Sequence, residues 1–312
     1  MAVRLIQGQG IKVIAVKFTS PFCLCDQKGR CHAKEITEKS NIRLEIVTAG
    51  ADYLEMLRNP KYGYGSGMNP CVDCRVYMLK KAKICAQNLG ADFIFTGEVL
   101  DERPMSQHRR ALQIIEKESG LEGKILRPLS AKLLPETEAE KKGWVERSKL
   151  MDIRGRSRRR QIELAKQLKL TDYPCPAGGC LLTYKEFAKK MKDLLEHKNT
   201  IGANDLLLLR FGRHFRLGES KMIVGRDEIE NTKLRALGGR DDYLFEVSGY
   251  GSPLTLLQGP KTADVIETAA ALTARYSDST EPKVRVKYGL GDLRDWIVVS
   301  PLNEDLIHRL RI

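Results

Sequence analysis

Two hydrophobic rhythms divide this 312-residue chain near residue 199, and each is compatible with few architectures. Upstream, compact apolar runs alternate with amphipathic stretches. Residues 11–18 read as a buried strand, 33–40 as a helix, 42–47 as a second strand and 51–59 as a short helix. Residues 60–70 make a Gly-rich, Tyr-bearing loop. Residues 71–89 read as a helix, because Val76, Leu79, Ala82 and Cys85 recur at helical spacing and Gly90 suits the left-handed residue that follows a helix. Residues 91–96 are another buried strand, and 159–170 and 184–197 are basic amphipathic helices flanking a loop at 171–179. Strands alternating with helices over short connections predict an α/β fold: a doubly wound parallel sheet covered by helices on both faces, with sites at the C-terminal strand ends.

Residues 199–203 read as a linker, and beyond it the pattern changes to short alternating runs at 206–211, 214–217, 221–224, 243–247 and 285–288. A late strand at 296–299, an Ala-rich helix at 263–276 and a short C-terminal helix complete the pattern. This predicts a smaller β-rich α+β domain, and a division of the chain into domains 1–198 and 199–312.

Charge follows the same division. The chain holds 53 Lys/Arg against 40 Asp/Glu, a net +13, yet residues 200–312 hold 16 of each. The first part therefore carries the whole excess, 37 against 24. An imbalance of this kind attracts a polyanion through counterion release. The candidates for phosphate contact are Arg109, Arg110, Arg154, Arg156, Arg158, Arg159 and Arg160, with a solvated basic face as the alternative reading. At 42% apolar and 30% charged residues the chain is a folded globular protein and not a disordered one. No apolar run approaches the ~20 residues that span a bilayer, so no membrane association is expected. The opening residues lack the charged and apolar regions of a secretory signal, which makes a cytoplasmic location the expectation.

In a reducing compartment, close cysteine pairs point to metal, cluster or thiol chemistry. Asn69-Pro-Cys71-Val-Asp-Cys74 opens a predicted helix, where free backbone N–H groups and the positive dipole end favour thiolates. Pro174-Cys175-Pro-Ala-Gly-Gly-Cys180 forms a second pair on a loop without bulky side chains. If the loops meet, Cys71, Cys74 and Cys180 hold three corners of a 4Fe-4S cluster with one iron open, Cys175 being the alternative third ligand. Zinc on all four sulfurs is the competing reading, and two buried thiols in a helix is the plain one. Cys23, Cys25 and Cys31 match no common zinc spacing, and Cys85 reads as core. Thr96-Gly-Glu98 follows a strand directly and offers backbone groups and a carboxylate to a nucleotide, or else is an ordinary turn with Glu98 paired to an arginine.

These motifs carry a resemblance. Asn-Pro-Cys71-x-x-Cys74 resembles the first catalytic cysteine motif of tRNA 2-thiouridylases. Phe95-Thr-Gly-Glu98, Met105-Ser-Gln107 and Leu126-Arg-Pro-Leu129 look like the nucleotide domain of tRNA 4-thiouridine synthases. Both are PP-loop ATPases of the adenine nucleotide alpha hydrolase fold, and Cys180 stands in the place of their later catalytic cysteine. The family's pyrophosphate loop, Ser-Gly-Gly-x-Asp-Ser, is absent from this sequence. Residues 2–6 look like the helix that follows that loop, so the expectation is a sheet with its first strand missing.

The second part resembles NFACT-R RNA-binding domains through Phe215-Arg-Leu-Gly-Glu-Ser-Lys-Met-Ile-Val-Gly-Arg226, Glu230-Asn-Thr232 and Asp241-Asp-Tyr-Leu-Phe-Glu-Val247. The resemblance implies a tRNA sulfurtransferase. ATP with Mg would adenylate a uridine carbonyl, and sulfur from a donor protein or inorganic sulfide would displace AMP. Cys71 and Cys180 would be catalytic, and Phe18, Thr96, Gly97 and Glu98 would contact ATP. The alternative that the missing loop suggests is a truncated, non-catalytic RNA-binding protein. A third reading is a zinc-stabilised adaptor.

Overall fold

The computed structural model describes residues 1–24, 31–170 and 179–312, and the chain divides into two compact units, Met1–Thr183 and Tyr184–Ile312. The first unit carries helices α1 (Ala2–Gln7), α2 (His32–Lys39), α3 (Ala51–Arg58), α4 (Cys71–Asn88), α5 (Arg109–Ser119), α6 (Glu138–Lys141) and α7 (Arg159–Gln167). Its strands are β1 (Ile14–Thr19), β2 (Arg43–Thr48), β3 (Ile94–Phe95) and β4 (Ile125–Leu126). Strand β1 pairs parallel with β2 from Ile14 opposite Arg43 to Thr19 opposite Thr48, and β3 pairs parallel with β4.

Layering follows from strand alternation. Ile94 and Ile125 turn toward α4 and α5, packing with Val72, Val76, Leu79 and Ile115. Their neighbours Phe95 and Leu126 turn the other way, into a core with Ile6, Val13, Ile42 and Leu150. The parallel strands thus form two short pairs among the described residues, where one wide sheet was expected. The first strand is half-buried along its length, because β2 is its only ladder partner among the described residues and β2 itself leaves Ile46 exposed.

The second unit contains α8 (Lys185–His197), α9 (Ala203–Leu208), α10 (Glu228–Leu237), α11 (Ala263–Arg275) and α12 (Glu304–Leu310). Its strands β5 (Arg213–Leu217), β6 (Ser220–Val224), β7 (Tyr243–Val247), β8 (Thr255–Gln258), β9 (Val284–Leu290) and β10 (Asp295–Val299) form one antiparallel sheet in the order β10-β9-β7-β8-β6-β5. One sheet face packs on α11 through Phe215, Met222, Phe245, Leu257 and Val286. The other packs Ile223, Leu244 and Leu256 against Leu208 of α9 and Leu234 of α10. The β-rich expectation holds for this unit, with one correction. Residues 206–211, read as a strand, begin inside helix α9, since Asp205 accepts the Gly202 N–H at 2.8 Å and starts a helical turn.

Candidate functional site

The first candidate site is a convergence of cysteines. Pro70 ends the Gly-rich loop and α4 begins at Cys71. Asp73 in the first helical turn accepts the backbone N–H groups of Lys61 and Tyr62, at 2.9 and 3.0 Å, and ties the loop to the helix. Asn69, buried, donates to Cys71 Sγ at 3.2 Å. The Tyr53 hydroxyl of α3 donates to Cys74 Sγ at 3.4 Å.

Backbone bonds bring the second cysteine segment to the same place. Leu24 N–H donates to Gly179 O at 3.0 Å and Leu181 N–H to Phe22 O at 2.8 Å, an antiparallel bridge that sets Cys180 opposite Cys23. On its other side the segment is tied to the Cys71 loop by Met68 N–H on Leu182 O at 2.9 Å. Cys71, Cys74 and Cys180 are thereby close enough to act on one another's charge. Burial pushes the Cys180 thiol up to about 11, and Cys74, Cys71 and Cys23 add to the rise. Burial also raises Cys74, against the opposing effects of the Tyr53 hydrogen bond and Arg75. At Cys74 burial outweighs both of these lowering effects. Tyr53, buried among these sulfurs, is raised far above its usual value, chiefly by burial and then by Cys74, Cys180 and Cys71.

The three sulfurs are the soft donors that iron or zinc takes. Among the described residues, however, no three His, Cys, Asp or Glu side chains already form a metal-binding group. Cys25 and Cys175 lie outside the described residues. Lys17 donates to Cys31 Sγ at 2.9 Å, and Cys85 is half-buried on α4.

The nucleotide candidates Thr96, Gly97 and Glu98 follow β3 directly, and Phe18 lies on β1. Phe18 is half-buried near the end of β1, and Gly97 is exposed beside half-buried Thr96. Glu98, only 4% exposed, is enclosed by cations: Arg127 Nε donates to it at 3.1 Å and Arg75 Nε lies at 3.4 Å. The Thr96 hydroxyl donates to it at 3.1 Å. Burial raises this carboxyl, yet Arg75, Arg127 and Thr96 together hold it below the usual range. Arg127 reaches Glu116 as well.

The arginine run lies beside the segment after Thr96, through a bridge between Leu100 and Arg154. Three of its members have acidic neighbours that sequence spacing did not reveal: Arg154 with Asp101 at 2.6 Å, Arg158 with Glu102 at 4.0 Å, and Arg160 with Asp152. Arg109 donates to Leu133 O at 2.9 Å. Arg110, Arg156 and Arg159 are exposed and have no acidic partner among the described residues.

In the second unit the motif residues hold the fold together. Arg216 clamps Asp193 of α8 with bonds of 2.8 and 2.7 Å, and Lys221 adds a third at 2.9 Å. Glu230 accepts the N–H groups of Gly212 and Arg226, at 3.1 and 3.0 Å, and the Arg226 guanidinium. Gly225 is required for contact, since a Cβ there would sit 2.1 Å from Asn231 Oδ1. Gly212 has φ +67, and a Cβ would meet Val224 O at 2.8 Å.

With this geometry in place, residues 212–311 match the family described as "NFACT protein RNA binding domain". The second unit therefore carries an NFACT-type RNA-binding domain. No curated protein matches the chain. Among solved structures, the chain is similar to the C-terminal part of the fibronectin/fibrinogen-binding protein from Streptococcus suis. That match has 15% identity and a TM-score of 0.31, over 77% of this chain and 94% of that one. No helix among the described residues is long and apolar enough to cross a membrane.

Proposed function

We propose that this protein binds RNA, its second unit supplying the recognition domain and its basic first unit adding affinity for the phosphate backbone. The observation that carries this reading is the match of residues 212–311 to an RNA-binding domain family. The net charge supports it: the second part is balanced, so the excess cations of the first serve long-range attraction. Fluorescence anisotropy of the full chain with tRNA at stepped salt tests the proposal. Saturable binding is expected, with log K falling linearly against log salt. Replacing Arg110, Arg156 and Arg159 by Ala should lower that slope by about 2–3. Absence of binding at low salt overturns the proposal.

A second reading, tRNA thiolation by a PP-loop-type domain at 1–198 with a doubly wound sheet, is favoured by one observation: backbone bonds tie the Cys180 segment to the loop before Cys71 and Cys74 across a long interval of sequence. In this reading tRNA, a cytoplasmic sulfur donor and ATP with Mg are the partners. Phe18, Thr96 and Gly97 would face the nucleotide, while Glu98 would position Arg75 and Arg127. Cys71, Cys74 and Cys180 would hold a 4Fe-4S cluster, which would supply an open iron for sulfur; persulfide on Cys180, or zinc in place of iron, is the alternative. Mass spectrometry of tRNA nucleosides from cells carrying Cys71→Ala or Cys180→Ala decides it. Thiolated uridine should disappear in both, and its survival in both removes this reading.

A further inference from the structure

The signature cations of the second unit are spent on internal pairs: Arg216 and Lys221 on Asp193, and Arg226 on Glu230. Arg216 and Lys221 are thereby held within the fold, and RNA contact in this unit falls to more exposed side chains. Cations with no acidic partner among the described residues, Arg285 and Lys287, lie on the sheet half beyond the β6–β8–β7 strands that α9 and α10 cover. Strand register sets Lys287 opposite Trp296 and Arg285 opposite Val298, so all four side chains share one face. All four are exposed. The Arg285 guanidinium lies 4.2 Å from the centre of the Trp296 ring, and Trp296 as a residue is still 57% exposed. Asp295 falls on the opposite face by alternation. Glu246, opposite Lys287 on β7, already faces Arg235 at 3.3 Å, and Asp292 faces Arg294 at 2.9 Å.

Charge alone on a sheet edge discourages unwanted strand pairing. An exposed tryptophan with valine beside it works against that purpose and calls for a ligand. An exposed indole on a sheet, with Arg285 against its ring and Lys287 as its cross-strand neighbour, matches the chemistry of an unpaired nucleobase with its flanking phosphates. We infer that single-stranded RNA docks on the β9–β10 face, one base stacking on Trp296 while Arg285 and Lys287 meet the neighbouring phosphates. Duplex RNA has no free base face to offer, so this surface selects unpaired segments such as loops and ends.

This inference rests on the RNA-binding reading, and the test separates the two. The full chain is titrated with a fluorescein-labelled single-stranded oligouridine and with an RNA duplex. Trp296→Ala should weaken oligouridine binding about five- to hundredfold, Trp296→Phe should restore most of it, and duplex affinity should change little. Arg285→Ala with Lys287→Ala should also weaken it and reduce its salt dependence. In a Trp144→Phe chain, whose remaining tryptophan is Trp296, oligouridine should quench the indole emission, a readout independent of any variant's folding at this face. If the native chain binds RNA, and Trp296→Ala binds oligouridine as well as before with no quenching, this inference falls and the RNA-binding reading stands. If the native chain binds no RNA, both fall. If Trp296→Ala instead turns a dimer into a monomer in sedimentation without altering RNA affinity, the face joins two copies and the inference is overturned.

Discussion

Each unit buries one carboxylate among cations, and the two clusters are finished differently. Asp193 in the second unit has both oxygens occupied, by a two-bond contact from Arg216 and a third bond from Lys221, and it fastens α8 to the β5–β6 hairpin. Burial raises its carboxyl, and Arg216 and Lys221 more than reverse that. Glu98 in the first unit is as deeply buried, yet its Oε1 and Arg127 Nη2 have no hydrogen-bond partner among the described residues. A satisfied cluster recovers its desolvation cost; one with open valences recovers less of it. The Asp193 cluster thus works as a structural fastening. The Glu98 cluster keeps polar capacity in reserve beside the strand end where the nucleotide candidates lie.

The largest effect should come from breaking the finished cluster. Asp193→Ala strands buried Lys221 and half-buried Arg216 and should cost about 3–5 kcal/mol in urea unfolding followed through Trp296, the sole tryptophan of the second unit. Glu98→Gln keeps the shape and a carbonyl acceptor for Arg127, so it should cost less, about 1–3 kcal/mol, followed through Trp144. Equal losses at the two sites would remove the distinction drawn between them.

Alkaline pH sharpens the comparison, because it moves the units in opposite directions. Burial, then Arg226 and Lys221, bring Lys190 on α8 down to about 8 from its ordinary 10.5. The folded unit disfavours that proton, so its stability rises from about pH 8 to 10.5 as the unfolded chain alone stays protonated. In the first unit Cys180 is raised to about 11 from 9.0. The folded state keeps its proton longer, so stability falls between pH 9 and 11. Each group contributes up to about 1.4 kcal/mol per pH unit over its window. Unfolding at pH 8 and 10, read through Trp144 and Trp296 separately, should show the divergence, and Lys190→Met should flatten the second curve.

How much of this was written in the sequence differs by kind of contact. Helix α4 was legible because Pro70 and Gly90 mark its ends, and β7 because Tyr243, Phe245 and Val247 alternate with inward and outward neighbours. The run 206–211 misled because a short apolar stretch fits strand and buried helix equally, and the deciding group was the polar Asp205 before it. Helix α10 and strand β8 were not anticipated: half-exposed turns and a four-residue run give weak periodicity. The cysteine types were visible, but their convergence depends on backbone bonds from Leu24, Leu181 and Met68, which leave no mark in residue type. The acidic partners of Arg154 and Arg158, Asp101 and Glu102, lie more than fifty residues away in sequence, beyond any spacing rule. The Trp296 platform was missed because only the register, pairing Lys287 with Trp296, puts cation and indole on one face.

The smallest effect concerns how the two units start comparable helices. Helix α10 opens under favourable charge: Asp227 accepts the Glu230 N–H at 2.9 Å, and Glu228 and Glu230 lie in its first turn. Helix α5 opens against its dipole, with Arg109 and Arg110 at the positive end and only the His108 Nδ1 accepting a backbone N–H, from Ala111 at 3.2 Å. Cations there cost stability unless an anion joins them, which is what a phosphate contact at Arg110 would provide. Arg110→Glu should therefore stabilise the first unit by about 0.3–1 kcal/mol at low salt while weakening its hold on tRNA. The two measurements pull apart only if Arg110 serves a ligand. A variant that gains stability and binds tRNA as tightly as before would place the phosphate contacts elsewhere, leaving Arg156 and Arg159 to account for the attraction.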